Sequence, residues 1–387
     1  MPSIFIFLGP VCDLLAIAGL VYFAMAIWAG KRFQKERGRA GDKNFSPPVS
    51  VLKSLKGLDP NMYAAFRSHC LLDYPEYELL FGAHDLADPA LTLVEKLRAE
   101  FPLRSLRVIH CPEVLGLNGK VSNLEQMLPQ ARYEHVIIND SDIIVPRDYL
   151  TRVLAPFADP QVGMVTTLYR GLPGRSIGSR LESLGLSSDF TGGVLIARAL
   201  EGGIHFALGA TIVTTKSVLR EIGGLEPLVD YLGDDYELGA RTAACGYKIE
   251  LADTIVDTAL PDYSFHEFWR HQMRWARNIK DRRPAQYLGL IVTFGLPWAI
   301  LAALLQPRAW WALALLVLTA AVRFAASQIA ARDILQDANF EKDARLLPLR
   351  DFIAMAIWIA SFFGNTVEWR GLRFRLRKGK LEKSQRP

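Results

Sequence analysis

The sequence lacks the cysteine patterns that build a disulfide framework or a zinc site. Its four cysteines lie far apart, and none belongs to a CxxC pair. Such scattered cysteines are typical of free thiols in a reducing compartment. The phosphate-binding pattern GxxxxGK[ST] is also missing, which excludes a Walker-type loop. No internal repeat and no low-complexity tract is present, which argues against solenoid and disordered classes.

The sequence also lacks a strong excess of positive or of negative charge. The formal net charge is +5, from 45 Lys and Arg residues against 40 Asp and Glu residues. This balance does not suggest a nucleic-acid partner. Half of the residues are hydrophobic and the mean hydropathy is +0.14, which is high for a soluble enzyme and low for a membrane bundle. The composition therefore predicts a soluble domain joined to membrane spans.

The N-terminal segment is one apolar run. Residues 4–28 are long enough to cross a bilayer. Basic residues follow this run directly, at Lys31, Arg32, Lys35, Arg37 and Arg39. The positive-inside rule then places the following chain in the cytoplasm. A cleaved signal peptide is disfavoured, because its basic residues would precede the apolar run. We expect residues 1–30 to form a transmembrane helix.

Residues 45–282 have the alternating pattern of an α/β domain. Short apolar runs at residues 49–52, 78–81, 107–110, 135–138 and 163–167 predict strands. Amphipathic segments at residues 90–100 and 120–128 predict helices between them. Strands that alternate with helices favour a largely parallel sheet covered on both faces.

The chain turns apolar again after Tyr287. Residues 288–305 and 309–330 are candidate spans, and Arg323 in the second should face protein or water rather than lipid. A third apolar segment, residues 352–369, is either an ordinary span or an interfacial helix. Residues 286–369 are therefore assigned to a membrane region, and residues 370–387 to a basic tail.

The motif Asp140-Ser141-Asp142 follows a strongly apolar predicted strand. Two carboxylates at the carboxyl end of a strand open into the crevice where α/β sheets bind ligands. Such hard oxygen ligands suit Mg²⁺ or Mn²⁺ bridging a diphosphate. The alternative is a surface turn or helix cap that happens to carry two acids.

A second acidic pair, Asp234 and Asp235, opens a predicted helix. Helix capping explains one acid, but two consecutive acids exceed what a cap needs. A carboxylate near an acceptor hydroxyl can serve as a general base. Asp235 is the first candidate for this role and Asp234 the second.

A basic and aromatic helix precedes the membrane region. Arg274 and Trp275 lie side by side there, three residues after His271. Arginine suits diphosphate binding and tryptophan suits stacking against an acceptor. The alternative for this helix is an interfacial belt of aromatic and basic residues.

Two loops carry further candidates for a nucleotide or phosphate site. Asp85 and Asp88 follow the second predicted strand, where a carboxylate can bind a base or a ribose. A loop that caps the next helix is the equally favoured alternative. Lys120 opens another helix, where its side chain and the backbone amides can meet a phosphate.

Taken in chain order, these motifs resemble lipid-directed and processive glycosyltransferases of families 2 and 21, and the resemblance covers nearly the whole chain. The resemblance is greatest for ceramide glucosyltransferases. Among these, the chain most resembles the bacterial branch associated with hopanoid biosynthesis, and the resemblance includes the stretch Gly209-Ala210-Thr211. The resemblance implies a GT-A fold, a UDP-sugar donor and a divalent cation. Asp88 or Asp85 would then contact the nucleotide, and Asp140 and Asp142 would hold the metal-diphosphate.

The resemblance also implies an inverting, single-displacement reaction. Asp235 would deprotonate the acceptor, while Arg274 and Trp275 would complete a QxxRW-type element. The first position of that element is His271 here, where relatives carry Gln or Arg. This departure leaves the role of position 271 open.

The leading hypothesis is transfer of a hexose or N-acetylhexosamine to a membrane lipid, either ceramide-like or hopanoid, at a bacterial inner membrane with a cytosolic catalytic domain. A polysaccharide synthase is one alternative, although the apolar segments are few for a polymer channel. A non-catalytic membrane scaffold is another, which the intact acids argue against. Residues 194–196 and 206–208 are either acceptor contacts or ordinary core.

Overall fold

The computed structural model describes residues 2–38, 41–42 and 44–383. Met1, Arg39 and residues 384–387, to which the predictions above extend, lie outside this part. The strands are β1 Val49–Leu55, β2 Tyr77–Ala83, β3 Leu106–His110, β4 His135–Asn139, β5 Ile143–Ile144, β6 Val162–Leu172, β7 Thr211–Thr215, β8 Lys248–Ala259, β9 Thr366–Trp369, β10 Leu372–Arg377 and β11 Lys380–Lys383. The helices of the soluble domain and its N-terminal extension are α1 Pro2–Glu36, α2 Met62–Cys70, α3 Ala90–Glu100, α4 Gly119–Met127, α5 Tyr149–Leu154, α6 Ile177–Gly185, α7 Thr191–Glu201, α8 Lys216–Glu221, α9 Asp234–Ala244 and α10 Phe265–Arg282. The C-terminal helices are α11 Pro284–Gly289, α12 Gly295–Leu305, α13 Trp310–Gln328, α14 Phe340–Asp343 and α15 Leu347–Ser361.

The first eight strands form one mixed sheet in the order β3-β2-β1-β4-β7-β6-β8-β5. The pairs β2–β3, β1–β2, β1–β4 and β6–β8 are parallel, while β7 runs antiparallel to both of its neighbours. The five predicted strands and two predicted helices are confirmed with small shifts of their ends. Each face of the sheet is covered by its own apolar core. The carboxyl ends of β1, β2, β4, β6 and β8 therefore meet at one edge of the sheet.

Among the described residues, two helices are long and apolar enough to cross a membrane, Leu8–Glu36 and Trp310–Ile334. The first extends past the predicted apolar run and includes most of the basic residues that follow it. Arg323 in the second is only 3% exposed. Its guanidinium pairs with Asp189 of the soluble domain and, at 2.6 Å, with Asp351 of α15. The prediction that Arg323 faces protein is confirmed.

The candidate span at residues 288–305 is not one continuous helix. Helices Pro284–Thr293 and Gly295–Leu305 meet at an angle of 54°. Pro297 explains the break, because its ring clashes with the carbonyl four residues earlier and it has no N–H to donate. The start of α12 packs closely on α1: a Cβ placed on Gly19 would lie 2.2 Å from the Gly295 Cα. Small residues allow this close backbone contact between the two helices.

The last residues of the predicted third segment, 366–369, form strand β9. Its first residues belong to α15, which begins at Leu347 and has only 15 residues. That is about 22 Å of helix, against a hydrocarbon core of about 30 Å. Apolar side chains recur along one exposed side of it, at Leu349, Phe352, Ile359 and Phe362. The opposite side buries Arg350, Asp351 and Ile357. Length and pattern both favour the interfacial alternative over an ordinary span.

The prediction of a basic tail for residues 370–387 is wrong as far as residue 383. Strands β9, β10 and β11 form a three-stranded antiparallel sheet, called here the C-terminal sheet. Along β10, Phe374 and Leu376 are buried while the intervening arginines are exposed. The buried side packs against Leu232 of the soluble domain. The basic composition had hidden this alternation of apolar and charged residues.

Candidate active site

A cavity of about 1180 Å³ opens at the edge of the large sheet where the parallel strands end. Its walls include all of the residues singled out from the sequence: Asp85, Asp88, Lys120, Asp140, Asp142, Asp234, Asp235, His271, Arg274 and Trp275. These residues come from five separate segments of the chain. The structure therefore brings them to one place, while the role of each stays a prediction.

The turn after β4 is held from below by buried polar groups. The side-chain amide of Asn139 donates to the Ala210 carbonyl at 2.8 Å and so joins β4 to the start of β7. Lys53 is 1% exposed, and its Nζ donates to the Asp140 carbonyl at 3.0 Å. Burial lowers the pKa of Lys53 to about 7, although the two acids of the turn oppose this shift. The backbone that presents Asp140 is therefore fixed by contacts beneath it.

The two carboxylates of this turn fit a divalent cation. Burial, and secondly the charge of Asp140, raise the pKa of Asp142 to about 6. An incoming cation would relieve this crowding of negative charge. Asp142 Oδ2 also accepts a hydrogen bond of 2.5 Å from Thr258. No group of three or more His, Cys, Asp or Glu side chains among the described residues could hold a metal alone, so a bound diphosphate would have to supply further ligands.

The second acidic pair lies in the first turn of α9. The N-cap is Gly233, which has no side chain to form a cap, and Asp235 Oδ1 accepts a hydrogen bond of 2.8 Å from the Tyr236 amide within this turn. Asp234 Oδ1 accepts a hydrogen bond of 3.3 Å from the Asn118 amide. Burial, and secondly the charge of Asp234, raise the pKa of Asp235 to about 6.

Lys120 connects the two acidic motifs. Its ammonium lies 2.6 Å from Asp140 Oδ1 and 3.5 Å from Asp234 Oδ2. Burial alone would lower the pKa of Lys120, but the charges of the two acids outweigh it and raise the pKa. Asn118 caps α4 by accepting hydrogen bonds from two backbone amides, which fixes where this helix begins. The positive charge of Lys120 therefore lies where carboxylates and an incoming phosphate would meet.

Gly209 lies where the acids converge. A Cβ placed there would be 3.1 Å from Asp235 Oδ2 and 3.6 Å from Asp140 Oδ2. Both carboxylates thus lie against the same short stretch of backbone. The candidate base and the candidate metal ligand are close enough to act on one bound substrate.

Helix α10 forms the opposite wall of the cavity. The ring of His271 stacks on Tyr263, and its Nδ1 lies 2.9 Å from Oε1 of the buried Glu182. Trp275 lies 5.4 Å from the His271 ring, measured between ring centroids. Arg274 takes part in no ion pair among the described residues, and burial lowers its pKa. Position 271 therefore contacts an internal acid and leaves Arg274 available to a ligand.

The acids after β2 have the contacts of a capping loop. Asp88 accepts hydrogen bonds from the backbone amides of Gly57 at 2.8 Å and Ala90 at 2.9 Å. Asp85 accepts one from Ala87 at 2.8 Å. Both acids still line the cavity, so a contact with a nucleotide stays a prediction for them.

Sequence reasoning missed several residues of the cavity wall. Asp59 accepts a hydrogen bond from Ser141 and follows β1, just as Asp85 follows β2. The same argument from strand ends would have found it. Glu182 lies in α6, Thr258 in β8 and Tyr263 in the loop before α10, and no local pattern distinguishes these positions.

The two candidate acceptor segments differ in the structure. Residues 194–196 are buried in the core beside Ala29 and Phe33 of α1, as expected from ordinary packing. Phe206 and Leu208 line the cavity. Only the second segment can therefore contact a ligand there.

The chain is similar to known glycosyltransferases. The sequence model of the family described as Glycosyl transferase family 21 matches residues 11–382. Ceramide glucosyltransferase 1 of Caenorhabditis elegans is 26% identical over 261 residues, which are 65% of this chain and 56% of that protein. Poly-beta-1,6-N-acetyl-D-glucosamine synthase of Staphylococcus epidermidis is 22% identical over 209 residues, 53% of this chain and 48% of that protein. The chain thus spans about half the length of these relatives.

A solved structure has the same fold. The mannosyltransferase PcManGT from Pyrobaculum calidifontis, in complex with GDP-Man and Mn²⁺, aligns with a TM-score of 0.53 and 20% identity. The alignment covers 91% of this chain and 98% of that one. The expected GT-A fold is confirmed. With a family match over nearly its whole length, the chain belongs to glycosyl transferase family 21.

Proposed function

We propose that this protein transfers a hexose or N-acetylhexosamine from a UDP-sugar to the hydroxyl of a membrane lipid, with inversion. The main support is that one cavity holds both the acidic centre and an apolar, aromatic end. Leu186 and Phe190 of that end belong to a helical turn whose Asp189 pairs with Arg323 of α13. A lipid hydroxyl could reach Asp235 from this end while the apolar part of the lipid stays near the membrane helices.

In this proposal each side chain has a defined task. Asp140 and Asp142 would hold a divalent cation, which neutralises the charge that develops on the departing diphosphate. Asp235 accepts the proton of the acceptor hydroxyl, and with a pKa of about 6 it is ionised at neutral pH. Arg274 brings an unpaired positive charge to the same cavity. A single displacement with one base inverts the anomeric centre.

The proposed topology follows from the same contacts. If α1, the bent pair and α13 cross the bilayer and α15 lies at its surface, the C-terminal sheet is on the same side as the catalytic domain. The backbone hydrogen bond from Leu381 to Asp230, 2.7 Å long, joins these two parts directly. All the basic segments then face one side, which agrees with the positive-inside rule for a cytosolic catalytic domain at a bacterial inner membrane.

The test uses the purified full chain in lipid nanodiscs with Mn²⁺ or Mg²⁺. Radiolabelled UDP-glucose and UDP-N-acetylglucosamine are each offered with a ceramide or a hopanoid polyol, and products are separated and identified by mass spectrometry. One discrete glycolipid supports the proposal. A ladder of products would instead indicate polysaccharide synthesis, as the names of some relatives suggest. If no pair of donor and acceptor gives transfer, the result favours the alternative of a non-catalytic membrane scaffold.

A further inference from the structure

The C-terminal sheet forms part of the wall of the catalytic cavity. Trp369, Arg370, Arg373, Phe374 and Lys383 line the cavity beside the acids of the large sheet. Hydrogen bonds attach the sheet to the segment before α9: Leu232 donates to the Gly379 carbonyl at 3.1 Å. This sheet is therefore in direct contact with the loop that leads into the helix carrying Asp234 and Asp235.

The sheet has two hairpin turns of the same kind. Each is a two-residue turn with positive φ at both positions: Arg370 and Gly371 at 49° and 78°, then Lys378 and Gly379 at 51° and 78°. Such turns are type I′, and their first position favours Asn, Asp or Gly. Both turns instead carry a long basic side chain there, so the backbone geometry does not explain why Arg370 and Lys378 occupy these positions.

The surroundings of the two basic side chains differ. Arg370 lies at the rim of the large cavity and also lines a neighbouring cavity of about 310 Å³, which it shares with Arg274. Its Nη1 donates to the Lys56 carbonyl at 2.8 Å, which aims the guanidinium at the end of β1. Lys378 is exposed and lines neither cavity.

The cavity is lined by groups of both charges. Asp140, Asp142 and Asp235 line it at the edge of the large sheet, and Arg274 and Arg370 line it from α10 and from the C-terminal sheet. Neither arginine takes part in an ion pair among the described residues, whereas the nearby Arg270 pairs with Glu368 at 2.6 Å. Two guanidinium groups without ion pairs, in one cavity with a candidate cation site, suit a bound anion.

We propose that Arg370, together with Arg274, binds a phosphate or diphosphate group in this cavity, which makes the C-terminal sheet part of the substrate site. The planar guanidinium fork matches phosphate oxygens. The anion is the diphosphate of the donor, because the proposed ceramide-like and hopanoid acceptors carry no phosphate. This inference rests on the proposed function and adds to it a binding residue that local sequence patterns do not reveal.

The test replaces Arg370 by Asn, which removes the charge and suits the turn. Lys378→Asn is the matched control, because it makes the same change in the same kind of turn outside both cavities. Binding of UDP with Mn²⁺ and of inorganic pyrophosphate is measured by calorimetry on the full chain in nanodiscs. We expect Arg370→Asn to weaken the affinity for both probes about tenfold, the value of one charge-assisted hydrogen bond at an exposed site. Lys378→Asn should bind as wild type does.

The outcomes separate this inference from the proposed function. If Arg370→Asn binds UDP and pyrophosphate as wild type does, or if Lys378→Asn loses as much affinity, the inference is overturned even where sugar transfer is intact. If the wild-type protein transfers no sugar but the Arg370→Asn variant binds pyrophosphate more weakly than wild type does, only the proposed function is overturned. Equal melting temperatures of the two variants exclude loss of the sheet as the cause.

Discussion

If Asp235 is the general base, the pH dependence of kcat/KM should follow the titration of its carboxyl group. Its pKa is raised to about 6, so the base is protonated and inactive below that pH. We expect kcat/KM to be level at neutral pH and to fall about tenfold per pH unit once the pH is well below 6. The variant Asp235→Asn should lose a factor of roughly 10² to 10⁴ while it still binds UDP.

The neighbours of Asp235 allow a sharper test, because they shift its pKa in opposite directions. The charge of Asp234 raises this pKa and the charge of Lys120 lowers it. Carboxylates of consecutive residues are at most about 10 Å apart, where a unit charge contributes about 1.7 kcal/mol at an effective dielectric constant of about 20. That energy is just over one pH unit. Asp234→Asn should therefore move the break in the profile down by about one unit, and Lys120→Met should move it up.

The assay is the initial rate of UDP release from pH 5 to 8.5, at constant ionic strength and saturating cation. Circular dichroism at each pH separates titration from unfolding. A break that stays in place in both neighbour variants would refute the electrostatic reasoning. Wild-type turnover in Asp235→Asn would remove this residue from the role of base altogether.

Three further predictions concern the membrane helices and the cation. Gly19→Leu should lower the thermal stability in detergent, since its side chain would collide with the Gly295 backbone. Gly289→Leu is the control and should leave the stability unchanged, because nothing lies within 4 Å of a Cβ placed there. Equal melting temperatures of the two variants would contradict the close packing of α1 and α12. Arg323→Met should cost about 3–5 kcal/mol by leaving the buried carboxylate of Asp351 without its partner. Arg332→Met removes only an exposed ion pair and should stay within about 0.5 kcal/mol of wild type. A chelator should abolish transfer and added Mn²⁺ or Mg²⁺ restore it, and full activity in chelator would exclude the metal role of the acidic turn.

Local patterns were sufficient to find most of the candidate site. Asp140 and Asp142 stood out because an apolar strand ends directly before them, and the carboxyl ends of parallel strands meet at one edge. Asp59 lay within reach of the same argument. Arg370 did not, because its place in the cavity depends on the C-terminal sheet, which bonds to residues 230 and 232 from far along the chain. A basic residue in a basic segment carries no local sign of such a contact.

The alternation of apolar and polar residues and the length of the apolar runs determined the positions of the strands and of the apolar segments, since side-chain periodicity is a property of the local chain. Tertiary structure alone decided which partner each segment meets. The segment around Pro297 became a bent pair packed on Gly19, and α15 kept its polar side against Arg323. The predicted basic tail became a sheet because Phe374 and Leu376 find an apolar surface at Leu232. Those contacts join residues far apart in sequence, and their stability comes from shared burial that neither segment encodes by itself.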